Sequence, residues 1–334
     1  MFYRKKTAKK AYFANIYTAL VKYVILPFMS DTLTETIEPA GPKTALVTII
    51  GRPSAGKSTF LNTASDEPVS IVSPLPQTTR NAIKGIVNTS LGQLVFVDTP
   101  GYHESEKKMN VKLRALTADQ LENADAVLYV IDTTRPCGEE EKLITQLLAG
   151  YGEKTVVALN KTDDSRSKAA AARAFVAAEL PSLDGSRIID ISAREDRGVN
   201  EVLRALYELA PVAPHLYPEE YYTDQEVDFR IAEIIREQAI NRLQQEIPHA
   251  IYVQIADMEM KKPSLLWVRA FLCVERESQK GIVIGKGAGM IKTIRMESMK
   301  VMREIFPYRV DLDLQVKVDK NWRQKDNTLN RLIK

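Results

Sequence analysis

The sequence has few of the residues that most often form disulfides or hold metal ions. Its two cysteines, Cys137 and Cys273, are far apart and form no CxxC pair, which excludes a disulfide framework and a cysteine-based zinc site. The three histidines are scattered along the chain, whereas a metal site needs grouped ligands. We therefore expect a protein of a reducing compartment, the cytoplasm.

Long apolar runs are also missing. No stretch reaches the roughly 18 uninterrupted apolar residues that a membrane span needs. The nearest, 11–29, contains Asn15, Thr18 and Lys22, and no A-x-A cleavage site of a signal peptide follows it. With 45% hydrophobic and 27% charged residues over 334 positions, the composition is that of a globular protein of about two domains.

The net charge of +3 conceals an uneven distribution. Residues 1–28 carry six basic residues and no acidic one, residues 276–334 carry twice as many basic as acidic residues, and the part between them is acidic on balance. A basic end on an acidic body indicates a polyanionic partner there. The basic and apolar start also suits peripheral contact with the cytoplasmic face of a membrane. A translation start at Met29 is the alternative, and it would leave this stretch out.

From residue 44 onward, short apolar runs alternate with helix-length segments. The runs are rich in β-branched residues and cover 44–50, 93–98, 126–132, 155–160 and 187–192. Continuous apolar strands separated by helices predict βαβ units and a mostly parallel sheet covered on both faces. The predicted fold class is α/β.

A proline-rich stretch, 211–218, ends this pattern and indicates a domain joint. The elements predicted beyond it make a small α+β domain with helices over 228–245 and 290–304, strands over 252–257, 265–275 and 309–318, and a polar tail. The chain thus divides into an N-terminal extension and linker (1–42), an α/β domain (43–212) and a linker with a second, smaller domain (213–334).

Residues 51–58, GRPSAGKS, form a complete G-x-x-x-x-G-K-[ST] motif between an apolar strand and a helix. In such a loop, backbone N–H groups face the phosphates of a nucleotide. Lys57 is expected to bridge the β- and γ-phosphates, and Ser58 to give a hydroxyl to Mg²⁺. The nucleotide contacts expected from this segment are Gly51, Ser54, Ala55, Gly56, Lys57, Ser58 and Thr59.

The base is predicted by Asn160-Lys161-Thr162-Asp163, at the end of an apolar strand. The carboxylate of Asp163 can accept hydrogen bonds from N1–H and the 2-amino group of guanine. Adenine lacks this donor pair and would leave the carboxylate unpaired. Asn160 is expected at the other edge of the purine and Lys161 over its face, while the segment 192–193, Ser192 and Ala193, offers a backbone N–H to guanine O6.

Three further residues complete the expected site. Asp98 ends the strand at 93–98 and would hold Mg²⁺ through water. The N–H of Gly101 would sense the γ-phosphate, and Thr79, in PQTTR, would cap Mg²⁺ when GTP is present. The expected metal ligands are therefore Ser58, Thr79 and Asp98, and the expected catalytic groups are Lys57, Thr79 and Gly101.

These motifs, together with VDTPGYH, YPEEYYTDQ and FRIAEIIRE, resemble the Era family of GTPases from about residue 43 to the end of the chain. The resemblance implies a Ras-like G domain joined to a C-terminal KH domain of type II. It implies binding of GTP or GDP with Mg²⁺, binding near the 3′ end of 16S rRNA, and a role in assembling the 30S ribosomal subunit. We expect a monomer.

Two positions depart from related GTPases. Ser54 stands where family members commonly have an asparagine that helps hold an activating K⁺, and a hydroxyl coordinates an alkali ion less readily, so K⁺ dependence stays open. Tyr102 occupies the place of the water-orienting glutamine of Ras-like enzymes, as is normal for the family. No side chain is then an evident general base, and we expect slow hydrolysis, on the order of the 10⁻⁴ s⁻¹ of unassisted Ras-type enzymes.

Residues 283–291, VIGKGAGMI, resemble the KH loop, where a G-x-x-G turn brings backbone N–H groups against RNA phosphates. Aligned on the helix that follows, the two loop glycines fall on Gly285 and Ala288, so the second is alanine. We expect the loop to follow a strand. The predicted RNA contacts are Gly285, Lys286, Gly287, Ala288, Gly289 and Lys292. For Trp322, stacking on a base and covering the edge of the domain are both open.

The favoured function is a GTPase switch whose nucleotide state controls how its KH domain engages rRNA. One alternative is an RNA-binding assembly factor in which GTP mainly supports the fold. Another is a GTPase of tRNA modification or membrane trafficking, which shares the nucleotide motifs but would lack VIGKGAG.

Overall fold

The computed structural model describes residues 41–73, 80–101 and 108–332. The extension 1–28, with its predicted membrane contact, lies outside them. The first part of the described chain contains β1 (Lys43–Ile50), α1 (Lys57–Ser65), β2 (Ile83–Thr89), β3 (Gly92–Asp98), α2 (Lys108–Glu122), β4 (Ala126–Asp132), α3 (Glu139–Leu148), β5 (Thr155–Asn160), α4 (Ala169–Glu179), β6 (Ile188–Asp190) and α5 (Val199–Leu209).

The strands of this part form one sheet in the order β2-β3-β1-β4-β5-β6. All neighbouring pairs are parallel except β2 and β3, which are antiparallel. β2 is not among the predicted strands, because Lys84, Gly85 and Asn88 interrupt its apolar pattern. The mostly parallel α/β sheet is otherwise as predicted.

Helices cover both faces of this sheet. On one face α1 and α5 contribute Phe60 and Leu206 to the core, and on the other α2, α3 and α4 contribute Leu121, Ile144 and Val176. Every residue of β3, β4 and β5 is buried, as expected for parallel strands covered on both sides. The carboxyl ends of β1, β3, β4 and β5 therefore share one edge, where ligands of such sheets bind.

The second part contains α6 (Val227–Ile240), β7 (Tyr252–Lys262), β8 (Leu265–Val274), α7 (Glu277–Ile284), α8 (Gly289–Ile305), β9 (Arg309–Val318) and α9 (Asp326–Leu332). β8 pairs with β7 in the antiparallel and with β9 in the parallel direction. A parallel pair needs a long crossover, and α7 with α8 supplies it. The core between this sheet and its helices includes Ile235, Val268, Ile294 and Leu312.

Two helices of this part were not predicted. α7 has the sequence ESQKGIVI, whose apolar end suggests a strand, but the Gln279 side chain accepts hydrogen bonds from the N–H groups of Glu275 and Arg276 and starts a helix there. α9 lies in the predicted polar tail and is held by the buried Leu329. α6 ends at Ile240, five residues before the predicted end.

The segment between the two parts lies along β2 and β3. The N–H of Ile86 donates to the carbonyl of Tyr222 at 2.9 Å, the hydroxyl of Thr223 donates to the carbonyl of Lys84 at 2.8 Å, and Gln93 Oε1 accepts from the N–H of Tyr217 at 2.9 Å. The proline-rich joint is therefore packed on the first part. Within the described ranges no helix is both long and apolar enough to cross a membrane.

Candidate functional site

The glycine-rich segment 51–58, the P-loop, joins β1 to α1. It packs against residues 160–163, which we call the base-side motif. Gly56 has φ +100°, and a Cβ there would overlap Nδ2 of Asn160, so only glycine lets the two loops approach this closely. Nδ2 of Asn160 donates to the carbonyl of Ala55 at 2.9 Å. The loop ends at the N-terminus of α1, whose free N–H groups favour anions. Gly51, Ser54 and Thr59 lie in the same loop and first turn.

Lys57 is buried at the start of α1, with 6% of its surface exposed. Its ammonium group donates to the carbonyls of Gly51 at 2.9 Å and Arg52 at 3.1 Å. Burial lowers the pKa of Lys57 from 10.5 to about 8, and nearby Asp98 offsets part of this decrease. The ammonium group is thus short of negative partners, which a nucleotide's phosphates would provide.

Ser58 and Asp98 lie side by side at the end of β3. The hydroxyl of Ser58 donates to Oδ2 of Asp98 at 2.7 Å, and Ser70, which the motifs do not include, donates to the same oxygen at 2.7 Å. Mg²⁺ takes oxygen ligands and is typically held by one or two carboxylates with substrate phosphates. In the ranges described there is no group of three or more His, Cys, Asp or Glu that could hold a metal by itself. This pair fits a Mg²⁺ that is shared with a nucleotide.

Gly101 packs directly on the P-loop. A Cβ at this position would lie 2.7 Å from the backbone of Pro53, so a side chain would force the two loops apart. Thr99 is tied to β1 through a 2.6 Å hydrogen bond from its hydroxyl to the carbonyl of Ile49. The expected switch residues Thr79 and Tyr102 lie outside the described residues.

The base-side motif is a hub of hydrogen bonds. Oδ1 of Asn160 accepts from the N–H groups of Lys161 at 2.8 Å and Ala193 at 3.0 Å. Lys161 Nζ reaches the carbonyl of Ser54 at 2.8 Å. The side chain of Asn160 therefore connects the P-loop to the 192–193 segment. Its position in the motif does not by itself reveal this structural role.

Asp163 points to the same edge. It pairs with Arg194 at 2.5 Å, and its side chain is 7% exposed. A hydrogen bond from Ser192 and the proximity of Arg194 lower the pKa of Asp163 below its ordinary value. The carboxylate is ionised at neutral pH, the state that accepts two hydrogen bonds.

Sequence reasoning missed a buried charged group beside these loops. Arg52 pairs with Glu141 at 2.9 Å, and Lys161 pairs with Asp132 at 2.7 Å. The sequence contained part of the information needed to find this group. Asp132 ends β4 at the carboxyl edge of the sheet, and Arg52 lies inside the P-loop motif.

The glycine-rich loop of the second part lies between α7 and α8, so the prediction that it follows a strand is wrong. Gly285 and Ala288 have φ +73° and +60°, and a Cβ at Gly285 would approach Met290 to 2.8 Å. Ala288 thus adopts the left-handed conformation of a loop glycine. Lys286, Gly287, Gly289 and Lys292 are exposed on or next to this loop.

Trp322 is fully buried. Its indole N–H donates to the carbonyl of Ala250 at 2.9 Å, and its ring meets that of Tyr252 edge to face with centroids 5.0 Å apart. Covering the edge of the domain is the role that the structure shows, and base stacking is excluded in this conformation.

Two family models match the chain. The model described as "50S ribosome-binding GTPase" matches residues 46–161, and the one described as "KH domain" matches residues 246–323. The GTPase Era of Treponema denticola is 60% identical over 288 residues, which cover 86% of this chain and 98% of the relative. The chain belongs to the Era family of GTPases. Membership confirms the predicted family and its two-part architecture.

Two solved Era structures superimpose on the chain. Each has a TM-score of 0.82 and 29% sequence identity, and covers 87% of this chain and 98% of its own. One is a crystal structure of Era in complex with MgGDPNP and nucleotides 1506–1542 of 16S ribosomal RNA. The other is a tyrosine-to-alanine variant of Aquifex aeolicus Era bound to GDP.AlF4⁻.

Proposed function

We propose that this Era-family protein is a GTP-hydrolysing switch that binds 16S rRNA through its KH domain and assists assembly of the 30S subunit. The observation that carries the proposal is the meeting of the phosphate, metal and base motifs at one edge of the sheet. We propose the domain division of the sequence as the functional one, with a G domain over 43–212 and a linker with the KH domain over 213–334.

The nucleotide site is assigned residue by residue in this proposal. Lys57 and the P-loop N–H groups bind the phosphates, and Asp163 selects guanine through N1–H and the 2-amino group. Ser58, Asp98 and Thr79 hold Mg²⁺, which when bound neutralises phosphate charge. The remaining nucleotide contacts are Gly51, Ser54, Ala55, Gly56, Thr59, Gly101, Asn160, Lys161, Ser192 and Ala193.

Hydrolysis in this site depends on positioning rather than on a general base. Lys57 stabilises negative charge on the transferred phosphoryl group, because its buried ammonium has no carboxylate bound to it in the described chain. The N–H of Gly101 holds the γ-phosphate in place, and Thr79 caps Mg²⁺ when GTP is present. Among the described site residues, no side chain is an evident general base, so we expect a slow intrinsic rate.

RNA binding is assigned to the loop between α7 and α8. Gly285, Gly287, Ala288 and Gly289 let the backbone approach the phosphates. Lys286 and Lys292, both exposed, neutralise phosphate charge and make the affinity depend on salt.

Arg80 supplies a physical link between the two functions. It directly follows Thr79 in sequence, and its guanidinium donates to the carbonyls of Ile251 at 2.8 Å and His249 at 3.4 Å in the KH half. It also lies 5.3 Å from the ring centre of Trp322. A change at Thr79 on hydrolysis would act on the KH half through this residue.

Leu113 supplies a second link. It lies on α2, which follows Gly101 and the segment 102–107 in the chain, and it packs with Trp322 and Leu329 of the KH half. Arg80 and Leu113, which follow the two segments expected to respond to γ-phosphate, therefore contact the same part of the KH half.

The test is fluorescence anisotropy of a single-stranded oligonucleotide from the 16S rRNA 3′ end at one salt concentration. It compares protein loaded with GDP and with a non-hydrolysable GTP analogue. Tighter binding with the analogue supports the switch. Equal binding in both states supports the alternative, an RNA-binding assembly factor in which GTP mainly supports the fold. Absence of binding would contradict RNA recognition by the KH loop.

A companion experiment tests whether the switch is used. Thr79→Ala spares the contacts to GDP, so it should leave GDP affinity unchanged and abolish the difference in RNA affinity between the two nucleotides. Full complementation of a strain lacking the native gene by this variant would instead favour the structural role of GTP.

The remaining assignments concern conditions and location. We propose a cytoplasmic monomer in which Ser54 weakens K⁺ activation. GTPase rates in KCl and NaCl, measured for the protein and its Ser54→Asn variant, test the effect of Ser54.

We propose contact of residues 1–28 with the cytoplasmic face of the membrane through their basic charge. Co-sedimentation with anionic vesicles, which should be lost without residues 1–28, tests it.

A further inference from the structure

A group of buried charges connects the P-loop to α3 and β4. Arg52 is 4% exposed, and one guanidinium nitrogen lies 2.9 Å from a carboxylate oxygen of Glu141, itself 3% exposed. The other donates to the backbone carbonyl of Asp132 at 3.2 Å and lies 3.7 Å from its carboxylate. The P-loop is thus held by residues of α3 and β4, which are not part of the nucleotide motifs.

Asp132 extends this connection to the base side of the site. Its Oδ2 accepts from Lys161 Nζ at 2.7 Å, and its Oδ1 accepts from the N–H and hydroxyl of Thr134. Burial by itself would raise the pKa of Asp132, but the hydrogen bonds from Lys161 and Thr134 bring it below its ordinary value. Lys161 in turn binds the carbonyl of Ser54. The contacts run from α3 through the P-loop to the base-side motif and back to the P-loop.

Glu141 uses its two carboxylate oxygens for different partners. Oε1 meets Arg52, while Oε2 accepts from the N–H of Gly138 at the start of α3 at 3.1 Å. The carboxylate is held on both sides, so it presents a fixed counter-charge to the guanidinium. Buried ion pairs contribute little net stability, because desolvation offsets their attraction. Their value here lies in where they hold the P-loop.

We propose that Arg52 is a positioning residue of the nucleotide site, held by Glu141 so that Asp132 stays available to orient Lys161. The proposal rests on the proposed function, since it assumes that the P-loop and Lys161 contact GTP or GDP. It adds two residues, Arg52 and Glu141, that lie outside the assigned nucleotide contacts and act on bound nucleotide through other residues.

Glu141→Gln tests the proposal, with Glu139→Gln as its matched control. Glu139 lies in the same first turn of α3 and its side chain is 86% exposed, so both variants remove one charge from the same helix end. Without the charge at 141, Arg52 should move to the carboxylate of Asp132 and displace Lys161. We expect dissociation of fluorescent GDP to become about tenfold faster in Glu141→Gln and to stay unchanged in Glu139→Gln.

Melting temperatures separate positioning from a general loss of structure, and a second ligand, IDP, which lacks the 2-amino group, separates an effect on Lys161 and the P-loop from one on Asp163. Lys161 and the P-loop contact parts that GDP and IDP share, so both nucleotides should dissociate faster by the same factor. The melting temperature of the nucleotide-free variant should stay close to that of the control, while the increase in melting temperature on adding GDP should shrink. A lower melting temperature with unchanged dissociation rates would overturn the proposal and leave a structural ion pair.

Arg52→Lys provides a variant that keeps the buried positive charge but loses the two-pronged contact. Arg52→Lys should also accelerate dissociation of both nucleotides. If Glu141→Gln does not fold, this variant decides the test, and an unchanged dissociation rate in folded Arg52→Lys would contradict the proposal. Failure of the proposed function is a separate result. It would appear as no measurable GDP binding by the unaltered protein, whereas failure of this inference leaves normal binding and unaffected variants.

Discussion

Single residues in this site meet opposing physical demands. In the proposed role, Lys57 must be charged to bind phosphate, yet its burial lowers its pKa to about 8. Asp163 must also be charged, and here Ser192 and Arg194 hold its pKa low. Neighbouring residues of the protein stabilise the charged carboxylate of Asp163, whereas the charged ammonium of Lys57 would be stabilised by the ligand. These two residues lead to different predictions.

Asp163→Asn should change the base preference of the site from guanine to xanthine. The amide can donate to the 2-oxo group of xanthine but no longer accepts two hydrogen bonds from guanine, and loss of such charged bonds should weaken GDP binding by about a hundredfold. Affinities for GDP and XDP, measured by competition with a fluorescent nucleotide, check this. Asp164→Asn, next in sequence and paired with Arg166, is the control. Unchanged GDP affinity in Asp163→Asn would rule out the assigned base site.

Lys57 should make nucleotide affinity depend on pH. Bound phosphates stabilise the ammonium and raise its pKa, so above about pH 8 binding must take up a proton. We expect the Kd for GDP to be flat near neutral pH and to rise about tenfold per pH unit above 8. Lys57→Arg, which stays charged, should flatten this dependence in the same fluorescence titration. A flat profile in the unaltered protein would show that Lys57 stays protonated without nucleotide.

The same pKa has a consequence for stability. Between about 8, in the folded protein, and 10.5, the ordinary value, the unfolded chain binds more protons than the folded one, so the free energy of unfolding should rise with pH over this window. Nucleotide-free protein in urea denaturation series at several pH values tests the sign. A decrease attributable to Lys57, absent in Lys57→Arg, would contradict it.

At the scale of elements, the α7–α8 crossover positions the glycine-rich loop that we propose contacts RNA. It joins parallel β8 and β9 and therefore must leave and re-enter the sheet, which places the glycine-rich loop at its turn. Gly285 and Gly287 adopt left-handed backbone conformations without cost, whereas Ala288 does so with a Cβ. The element tolerates this strain because α8 packs Ile294 and Met302 into the core.

Ala288→Gly should relieve that strain. A non-glycine residue in the left-handed region costs about 1–2 kcal/mol, and part of the gain is lost to the greater freedom of glycine in the unfolded chain. We expect the free energy of unfolding to rise by about 0.5–1 kcal/mol, with RNA affinity equal or higher. Chemical denaturation and oligonucleotide anisotropy measure both. Gly289→Ala, at a helical φ of −64°, is the control for the unfolding measurement only, because alanine fits there without strain but Gly289 is itself a proposed RNA contact. Destabilisation by Ala288→Gly would show that the methyl group has a packing role.

At the scale of the whole molecule, the two halves are joined by more than a linker. Val72 donates its N–H to Glu237 at 3.2 Å, and Arg230 donates to the carbonyl of Pro68 at 3.0 Å. With Arg80, these contacts place α6 and the turn before β7 against the loops that flank the nucleotide site. These direct contacts are the route by which the proposed nucleotide switch would act on the KH half.

Arg80→Ala should uncouple the halves without harming either site. Its guanidinium contacts the KH half rather than the nucleotide motifs, so GDP affinity should stay unchanged. The RNA affinities measured with GDP and with a GTP analogue should converge to within about twofold, because coupling between sites is a free energy carried by contacts of this kind. Arg204→Ala, exposed on α5, is the control. A preserved difference in Arg80→Ala would assign the coupling to other contacts, such as that of Leu113.

Several features of this protein were determined by local sequence. The P-loop, NKTD and DTPG motifs predict their own backbone and chemistry, since glycine freedom, strand ends and side-chain charge are properties of a few neighbouring residues. Apolar runs at 44–50, 126–132 and 155–160 predicted buried parallel strands because burial on both faces leaves no polar alternation. These features and the family followed without coordinates.

Tertiary structure alone decided features that join distant residues. Arg52 and Glu141 meet because the end of β1 and the start of α3 share one edge of the sheet, and no local pattern encodes that contact. Trp322 was undecided in sequence and is buried because Tyr252 and Ala250 come to it from β7 and the turn before it. α7 formed as a helix since a capping glutamine and the core outweighed the preference of its apolar end. Long-range packing and hydrogen bonding, which local propensity does not contain, settled each of these.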